Sequence, residues 1–324
     1  KDFVLMLERF RSRQIRGLAT FVCALAALTA CTRSMNDKVI REKGQIQHDG
    51  LVREYVLLKP AVLEDEKSYP LVLALHGGGG DGKRMCRLRG GIQEFAAQEG
   101  YFVLCPDGFE RHWNDGRNID RWRAHSDDID DVGFLLELID LITVQYPIDR
   151  ERLFVTGMSN GGKMSLRLAC EASETFRAAA AVIASLPADL KCEPRQPISI
   201  MIMNGTEDPL VPWIGGQVRA LGQPLGEALS TPETISFWVA ENDCETEPAI
   251  SSLADIVLSD QSSIQLDLYA DCLSGEQVAL YTVEGGGHTW PGGAQYLPKF
   301  LIGQTNQDAH AGKLIWEFFE QVID

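Results

Sequence analysis

Short, continuous runs of apolar residues recur along this chain, and stretches with helical periodicity separate them. An apolar run without alternation is typical of a strand that is buried on both faces of a sheet. Because such strands alternate here with helical segments, the sequence predicts a single-domain α/β fold with a mostly parallel central sheet covered by helices on both faces. The predicted strands cover residues 52–58, 71–75, 102–105, 153–156, 178–183, 198–203 and 278–283.

Two segments show a clear helical pattern. The first follows Ser126, and its predicted core-facing stripe consists of Ile129, Val132, Leu136 and Ile139. Four aspartates stand near its amino end. We attribute them to the favourable interaction of carboxylates with a helix N-terminus rather than to a calcium site, so neither a metal ion nor a cofactor is expected. The second pattern covers residues 309–322, with Ile315, Phe318, Phe319 and Val322 on its core-facing side.

The first 30 residues read as an export signal, residues 31–44 as a linker, and residues 45–324 as the folded domain. A basic stretch precedes an uncharged, apolar segment at 17–30, which is too short to span a bilayer comfortably. The segment ends in a pattern that resembles a bacterial lipobox and predicts lipidation of Cys31. The alternative is an ordinary signal peptide cleaved nearby. Because the sequence begins with Lys1, either Met6 is the true start or the sequence is a fragment.

The net charge limits the partners of this chain. Its 46 acidic and 30 basic residues give a formal charge of −16 at pH 7. A charge of this sign repels nucleic-acid phosphates and anionic lipids, so nucleic-acid binding is not expected. Contact with a membrane is expected only through a lipid on Cys31. The protein is therefore predicted to be a periplasmic or cell-surface lipoprotein, or otherwise a secreted protein.

Six of the eight cysteines follow Cys31. An even number in an exported protein suggests disulfides, although six cysteines allow fifteen pairings. Proximity in the sequence favours Cys170 with Cys192 and Cys244 with Cys272. A zinc site is the weaker interpretation, because the sequence has no C-x-x-C pair.

The chemistry-bearing motif is G-x-S-x-G at residues 157–161, which directly follows the predicted strand 153–156. In this context the serine occupies a strained strand-to-helix turn, and small flanking residues avoid collisions with neighbouring backbone. Ser159 is thus a candidate nucleophile. The alternative is an ordinary β-α turn with a capping serine.

A nucleophilic serine needs a base and an acid that orients the base. His288 follows the last predicted strand in a glycine-rich loop, and Asp208 follows the strand 198–203. Both lie where an open α/β sheet places its sites, and Ser159, Asp208 and His288 have the chain order of the α/β-hydrolases. Glu207 competes with Asp208 for the role of the acid. Asp208 could also simply form a turn before proline.

A glycine-rich loop at residues 77–80 follows the strand 71–75. It resembles the loop that supplies a backbone N–H to the oxyanion hole of lipases and esterases, and it suggests Gly78 as one donor. The N–H of Asn160 would be the second donor. A nucleotide-phosphate loop is the alternative, but no complete G-x-x-x-x-G-K-[ST] pattern follows, because Arg84 stands where serine or threonine is required. His76 is interpreted as a residue that fixes this loop.

Several tryptophans are candidate walls of a substrate pocket. Trp290, two residues from His288, and Trp113 are predicted to bind substrate, while Trp122 and Trp213 are weaker candidates. Each could equally be a core or capping aromatic residue.

Together these motifs resemble the polyhydroxybutyrate depolymerase and feruloyl esterase family, which is related to carbohydrate esterases. The similarity covers most of the chain from about residue 45. Its motifs are HGG at 76–78, PDG at 106–108, DDVGF at 130–134, GMSNGG at 157–162, NGTEDP at 204–209, GHTWPG at 287–292 and IWEFF at 315–319. The resemblance implies an α/β-hydrolase with Ser159 as nucleophile, Asp208 as acid and His288 as base.

The sequence thus predicts an exported serine esterase that forms an acyl-enzyme. The resemblance implies feruloyl, acetyl-polysaccharide or hydroxyalkanoate esters, derived from plant polysaccharide or polyester, as substrates. Two alternatives remain. One is an inactive hydrolase scaffold that binds envelope polysaccharide, and the other is a serine peptidase on the same fold.

Overall fold

The computed structural model describes residues 39–220 and 222–323, so the predicted signal and Cys31 lie outside the described residues. The strands in the described ranges are Val39–His48 (β1), Leu51–Pro60 (β2), Tyr69–Leu75 (β3), Phe102–Pro106 (β4), Ile148–Met158 (β5), Ala178–Val182 (β6), Ser199–Gly205 (β7), Gly216–Ala220 (β8), Gln223–Ala228 (β9), Ala249–Ser252 (β10), Ser263–Tyr269 (β11) and Val278–Glu284 (β12). Each of the seven predicted strands overlaps one of these strands and extends beyond it by at most one residue.

The α-helices in the same ranges are Gly82–Met85 (α1), Ala96–Glu99 (α2), Arg123–Ser126 (α3), Asp131–Gln145 (α4), Asn160–Glu171 (α5), Thr231–Glu241 (α6), Lys299–Ile302 (α7) and Ala311–Gln321 (α8). Single 3-10 turns occur at Ile92–Glu94 and Leu258–Asp260. None of the helices in the described part of the chain has both the length and the apolar character needed to cross a bilayer.

Ten strands form one sheet in the order β1-β2-β4-β3-β5-β6-β7-β12-β11-β10. The pairs from β4 to β12 are parallel, and the pairs at both ends of the sheet are antiparallel. The mostly parallel α/β fold is therefore confirmed. Because parallel strands have their carboxyl ends at one edge, the segments that follow β3, β5, β7 and β12 meet there.

Alternate residues of β3 belong to two different cores, as expected when a strand is covered on both faces. Leu71, Leu73 and Leu75 pack with α4, α5 and α6, whereas Val72 and Ala74 pack on the side of α8. The predicted apolar side of the terminal helix is confirmed, since Ile315, Phe318 and Phe319 are buried.

The helix predicted after Ser126 begins only at Asp131, because residues 123–126 form their own turn. Its core-facing stripe also differs from the prediction. Ile139 is buried as predicted and Phe134, Leu138 and Ile142 are fully buried beside it, whereas Val132 and Leu136 lie at the flank. The side chain of Asp130 accepts the N–H of Gly133 at 2.8 Å, so one of the aspartates caps the helix.

The strands without a predicted counterpart lie mainly at the two sheet ends or in the separate hairpin of β8 and β9. Most of their side chains are exposed or only partly buried, so they lack the continuous buried apolar run that marks the central strands. β1 includes residues 39–44, which the sequence analysis assigned to a linker. That boundary is corrected because residues 39–48 pair in full with β2.

Three disulfides join the six described cysteines. The predicted pairs Cys170–Cys192 and Cys244–Cys272 are present, and Cys86 pairs with Cys105. The closed loops span sequence separations of 19 to 28 residues, so each bridge constrains a local part of the unfolded chain.

Candidate active site

Ser159 occupies the turn between β5 and α5. Its backbone has φ 53° and ψ −116°, a conformation that is costly for a residue with a Cβ atom. A Cβ at Gly157 would collide with the carbonyl of Gly161, and a Cβ at Gly161 would collide with the carbonyls of Leu75 and His76. The two glycines of the G-x-S-x-G motif are thus required because the backbone passes too close for any side chain.

Asp208 lies in the segment after β7 and is buried. Its Oδ1 accepts the N–H groups of Leu210 and Val211 at 2.8 and 2.9 Å, which fixes the carboxylate in a local turn. Its Oδ2 lies 2.7 Å from Nδ1 of His288. Asp208 therefore forms the turn before proline that the sequence offered as an alternative role, and it also contacts His288. Glu207, the competing acid, is exposed.

His288 lies in the loop after β12 and is also buried. Its Nε2 lies 2.9 Å from Oγ of Ser159. Since a carboxylate only accepts hydrogen bonds, Nδ1 of the imidazole donates to Asp208, and Nε2 is left to accept the proton of the Ser159 hydroxyl. The hydroxyl of Tyr296 donates to the carbonyl of His288 at 2.9 Å and helps to hold the loop.

The glycine-rich loop after β3 lies against the serine. A Cβ at Gly77 would come within 3.6 Å of the Cβ of Ser159. Gly78 and Asn160, whose N–H groups are the predicted oxyanion donors, line the same cavity as Ser159. The N–H of Gly79 is instead bonded to the carbonyl of Arg111 at 2.9 Å, which keeps the loop in place.

His76 holds this loop to the neighbouring strand end, as predicted. Its Nδ1 donates to the carbonyl of Gly77 at 2.8 Å, and its Nε2 accepts the N–H of Gly108 at 2.9 Å. Burial lowers the pKa of His76 to about 4, so the imidazole is neutral at pH 7. A neutral ring is what this pair of hydrogen bonds requires, since one nitrogen must accept.

The side chain of Asn160 was not singled out from the sequence. Its Oδ1 accepts the N–H of Trp113, and its Nδ2 donates to the carbonyl of Trp113 and to Asp115, at 2.7 to 2.9 Å. The residue after Ser159 is thereby tied to the segment that follows residue 112. The sequence signal for this contact is weak, because an asparagine at a helix start usually indicates a cap.

Asp115 and Arg117 form a fully buried ion pair beside this network, with an N–O distance of 2.6 Å. Burial alone would raise the pKa of Asp115, but the charge and the hydrogen bonds of Arg117, together with the nearby His125 and Lys163, outweigh it and the pKa is lowered. Arg117 also donates to the carbonyl of Leu225 at 2.7 Å and so attaches the β8-β9 hairpin. These roles depend on contacts that are distant in sequence, and the local pattern did not indicate them.

The tryptophans divide into core and cavity residues. Trp113 is fully buried in the hydrophobic core, and its Nε1 donates to the carbonyl of His76 at 2.9 Å. Its predicted role in substrate binding is therefore corrected to a structural role. Trp290 does line the cavity, with Nε1 bonded to the carbonyl of Gly90 at 2.9 Å. Trp122 lines it as well, stacked on His112 at 4.1 Å.

The cavity around Ser159 has a volume of about 1360 Å³. It exceeds the range of about 300–1,000 Å³ that is usual for small-ligand pockets. The β8-β9 hairpin supplies Val218, Ala220 and Leu225 to one part of its wall. Tyr296, Leu297, Phe300 and Leu301, which are partly or largely exposed, supply an apolar part of the rim. The site can therefore accept an ester with bulky groups around the scissile bond.

His48, Asp49 and Asp130 bring potential metal-ligand atoms together. His48 already bonds through Nδ1 to Glu137 at 2.6 Å, and the carboxylates around it are exposed.

The chain is similar in sequence to known hydrolases. Residues 64–218 match the model of the dienelactone hydrolase family. A relative named as esterase NocK, from Nocardia uniformis subsp. tsuyamanensis, is 30% identical over 74% of this chain and 70% of its own length. Feruloyl esterase B of Piromyces equi is 26% identical over 73% of this chain, which spans 42% of that protein.

A solved structure supports the fold alone. The acetyl xylan esterase of Aspergillus awamori superposes with a TM-score of 0.53 at 15% identity, over 86% of this chain and 99% of that one. The family match and the similarity to NocK lead to one assignment. The chain belongs to the dienelactone hydrolase family of α/β-hydrolases and is a carboxylic-ester hydrolase.

Proposed function

We propose that the chain cleaves its ester in two steps, with Ser159 as nucleophile, His288 as general base and Asp208 as the acid that orients His288. The unbroken hydrogen-bonded series carries this proposal: 2.9 Å from Ser159 to His288 and 2.7 Å from His288 to Asp208. This is the arrangement that activates a serine hydroxyl in serine hydrolases.

In the first step, Oγ of Ser159 attacks the ester carbonyl carbon while Nε2 of His288 takes the hydroxyl proton. The N–H groups of Gly78 and Asn160 stabilise the resulting oxyanion. The tetrahedral intermediate then expels the alcohol, which receives the proton from His288. In the second step, a water molecule deprotonated by His288 attacks the acyl-enzyme. The second tetrahedral intermediate then releases the acid while His288 returns the proton to Oγ of Ser159.

The test is the Ser159→Ala variant, assayed beside the unaltered protein. The panel consists of methyl ferulate, acetylated xylan, polyhydroxybutyrate and short nitrophenyl esters. We expect kcat to fall by about 10⁶-fold, with an unchanged circular-dichroism spectrum and unfolding midpoint. Equal activity of Ser159→Ala on every ester that the unaltered protein cleaves would refute the mechanism.

We propose feruloyl, acetyl-polysaccharide or hydroxyalkanoate esters as the substrate range. The relatives and the solved structure bear the names feruloyl esterase and acetyl xylan esterase, and the wide, partly apolar cavity is compatible with such groups. The same panel separates these classes. Hydrolysis of a peptide substrate with no ester hydrolysis would favour the peptidase alternative, and no hydrolysis at all would favour an inactive binding protein.

We also propose that the chain is exported and that Cys31 is lipidated after removal of residues 1–30. Three disulfides support an oxidising destination, because such bridges are rare in reducing compartments. To test this, the full chain and its Cys31→Ser variant are each expressed in a bacterial host that is supplied with radiolabelled palmitate. Label and membrane association in the first chain alone are expected, and label in both would refute lipidation at Cys31.

A further inference from the structure

The cavity around Ser159 is lined by side chains of mainly one charge. Seven lysines and arginines line it, against one carboxylate, Asp81. The whole chain has the opposite balance, with 46 acidic and 30 basic residues. Cations are therefore concentrated at the cavity in a protein that is otherwise acidic.

Most of these cations form what we call the cationic rim, which consists of Lys83, Arg84, Arg87, Arg89 and Arg219. All five side chains are exposed. Asp81 lies 3.3 Å from Arg84 but is shared with Arg111, at 3.8 Å. No described carboxylate lies within ion-pair distance of the other four rim cations. The positive charge of the rim is thus largely uncompensated by the protein.

Arg41, which is close to the cationic rim, is affected by the same excess of positive charge. The pKa of Arg41 is lowered by burial and, in addition, by repulsion from Arg87. Arg41 donates to the carbonyl of Cys86 at 2.9 Å rather than to a carboxylate. Solvent partly screens the repulsion between Arg41 and Arg87, and an anion beside the two guanidinium groups would reduce it further.

Inside the cavity, Lys163 is a second and independent cation. It lies one helical turn after Ser159 in α5, is 1% exposed and lines the same cavity. Its side chain makes no hydrogen bond or ion pair within the described part of the chain. The adjacent carboxylate of Asp115 is already occupied by Arg117 and Asn160.

Burial, together with the charge of Arg117, lowers the pKa of Lys163 to about 7, although Asp115 and Asp208 act in the opposite direction. The amine is therefore only partly protonated at pH 7, and its charged form lacks a hydrogen-bonded partner in the described residues. An acceptor group delivered by a ligand would supply the missing partner. The position of Lys163, four residues from Ser159 on the same helix, places that acceptor close to the scissile ester.

We propose that the substrate is an anionic ester, one that carries a carboxylate near the bond to be cleaved, and that the cationic rim and Lys163 select it. This inference rests on the proposed esterase function and names its substrate class. A cleft lined with one sign of charge raises the local concentration of the opposite sign and the rate of association. The carboxylate can belong to the alcohol part or to the acyl part of the ester.

Two matched substrate pairs distinguish these two sources. 4-Acetoxybenzoate and 4-acetoxybenzamide differ only in charge on the alcohol part. The 4-nitrophenyl monoesters of adipic acid and of adipamic acid differ only in charge on the acyl part. The quantity measured is the ratio of kcat/KM for the charged ester to kcat/KM for its neutral partner.

The variants are Arg87→Gln with Arg89→Gln, and Lys163→Met. The matched control is Lys43→Gln with Lys191→Gln, which removes the same charge from two exposed lysines outside the cavity. We expect a ratio above one in the unaltered protein for at least one pair. The rim variant should lower it about 3- to 10-fold, and the control should leave it unchanged. The pair that responds identifies which part of the ester carries the charge.

Salt provides a second readout that does not depend on the folding of any variant. Raising the salt concentration from about 0.01 M to about 1 M shortens the screening length from about 30 Å to about 3 Å, so the ratio should fall. A ratio at or below one for both pairs, or a ratio that the rim variant and the control change equally, would overturn the proposal. Esterase activity that still depends on Ser159 would leave the proposed function intact, and loss of that dependence would refute the function itself.

Discussion

Nε2 of His288 lies 2.9 Å from Oγ of Ser159, although the two residues are 129 positions apart in the chain. The contact depends on Asp208, which holds the opposite nitrogen of the ring at 2.7 Å. Because Asp208 is itself anchored by two backbone N–H groups, the imidazole has a defined orientation before any substrate arrives. The site is therefore preorganised for proton transfer.

The first prediction concerns Asp208→Asn. An amide can still accept the N–H groups of Leu210 and Val211, but it can donate to His288 and favour the wrong tautomer. We expect kcat for a nitrophenyl ester to fall by about 10⁴-fold with little change in stability. Steady-state kinetics and thermal unfolding test this expectation. Glu207→Gln, at the exposed neighbouring position, is the control and should keep its activity. A loss in Glu207→Gln equal to that in Asp208→Asn would reverse the assignment of the acid.

The second prediction concerns the strained backbone of Ser159. Both Ser159→Ala and Ser159→Gly remove the hydroxyl, but only glycine adopts φ 53° with ψ −116° without steric cost. The relief of about 1–3 kcal/mol should exceed the entropic penalty of about 0.4–1 kcal/mol for glycine. Ser159→Gly should therefore be about 1 kcal/mol more stable than Ser159→Ala in urea unfolding. A less stable glycine variant would show that the turn stores no strain.

The third prediction concerns the buried pair of Asp115 and Arg117. Asp115→Asn leaves the cation of Arg117 without its counter-charge in the interior, and Lys163 nearby makes this worse. We expect a loss of about 3–5 kcal/mol in the free energy of unfolding. The double variant Asp115→Asn with Arg117→Met should lose less than the sum of the two single variants, as measured by a double-mutant cycle. Strict additivity would mean that the two side chains do not interact energetically.

The fourth prediction concerns acid stability through His76. Its folded pKa of about 4 lies below the unfolded value of about 6.5, so between these values the unfolded chain binds the extra proton. Stability that is present above pH 6.5 is therefore lost as the pH falls towards 4. From pH 7 to about 4.5, the unaltered protein should lose about 2 kcal/mol more than His76→Gln. Urea unfolding at both pH values checks this. An equal loss in both proteins would mean that His76 is protonated in the folded state.

Several features of the site follow from local sequence. The run before residue 157 predicts a buried strand, and the glycines around Ser159 predict a tight turn, because both depend on residues close in the chain. Asp208 and His288 could be selected because each follows a predicted strand, and parallel strands end at a common edge. Chain order then separated them from most other acids and histidines, and only the structure separated Asp208 from the exposed Glu207.

Other features depend on contacts that no local pattern encodes. Trp113 sits in an aromatic-rich, polar segment that is compatible with a pocket wall, yet packing places it in the core with its Nε1 on His76. Most residues of β1 and β11 are exposed or only partly buried, so these strands lack the buried apolar run that identifies the central strands. The buried side of α4 includes the predicted Ile139 but also Phe134, Leu138 and Ile142, which the predicted stripe left out.

The sequence alone determined the central strands, the terminal helix, the turn at Ser159 and the three candidates for its catalytic series, because backbone preference and burial pattern are local properties. Only the tertiary structure decided which side chains share a cavity. It brought Asn160 to Asp115, left Lys163 buried without a partner, and placed the exposed cations of the 83–89 segment around the same cavity as Ser159. Such neighbours are set by how distant segments pack, and side-chain direction in that packing is not a property of any short stretch of sequence.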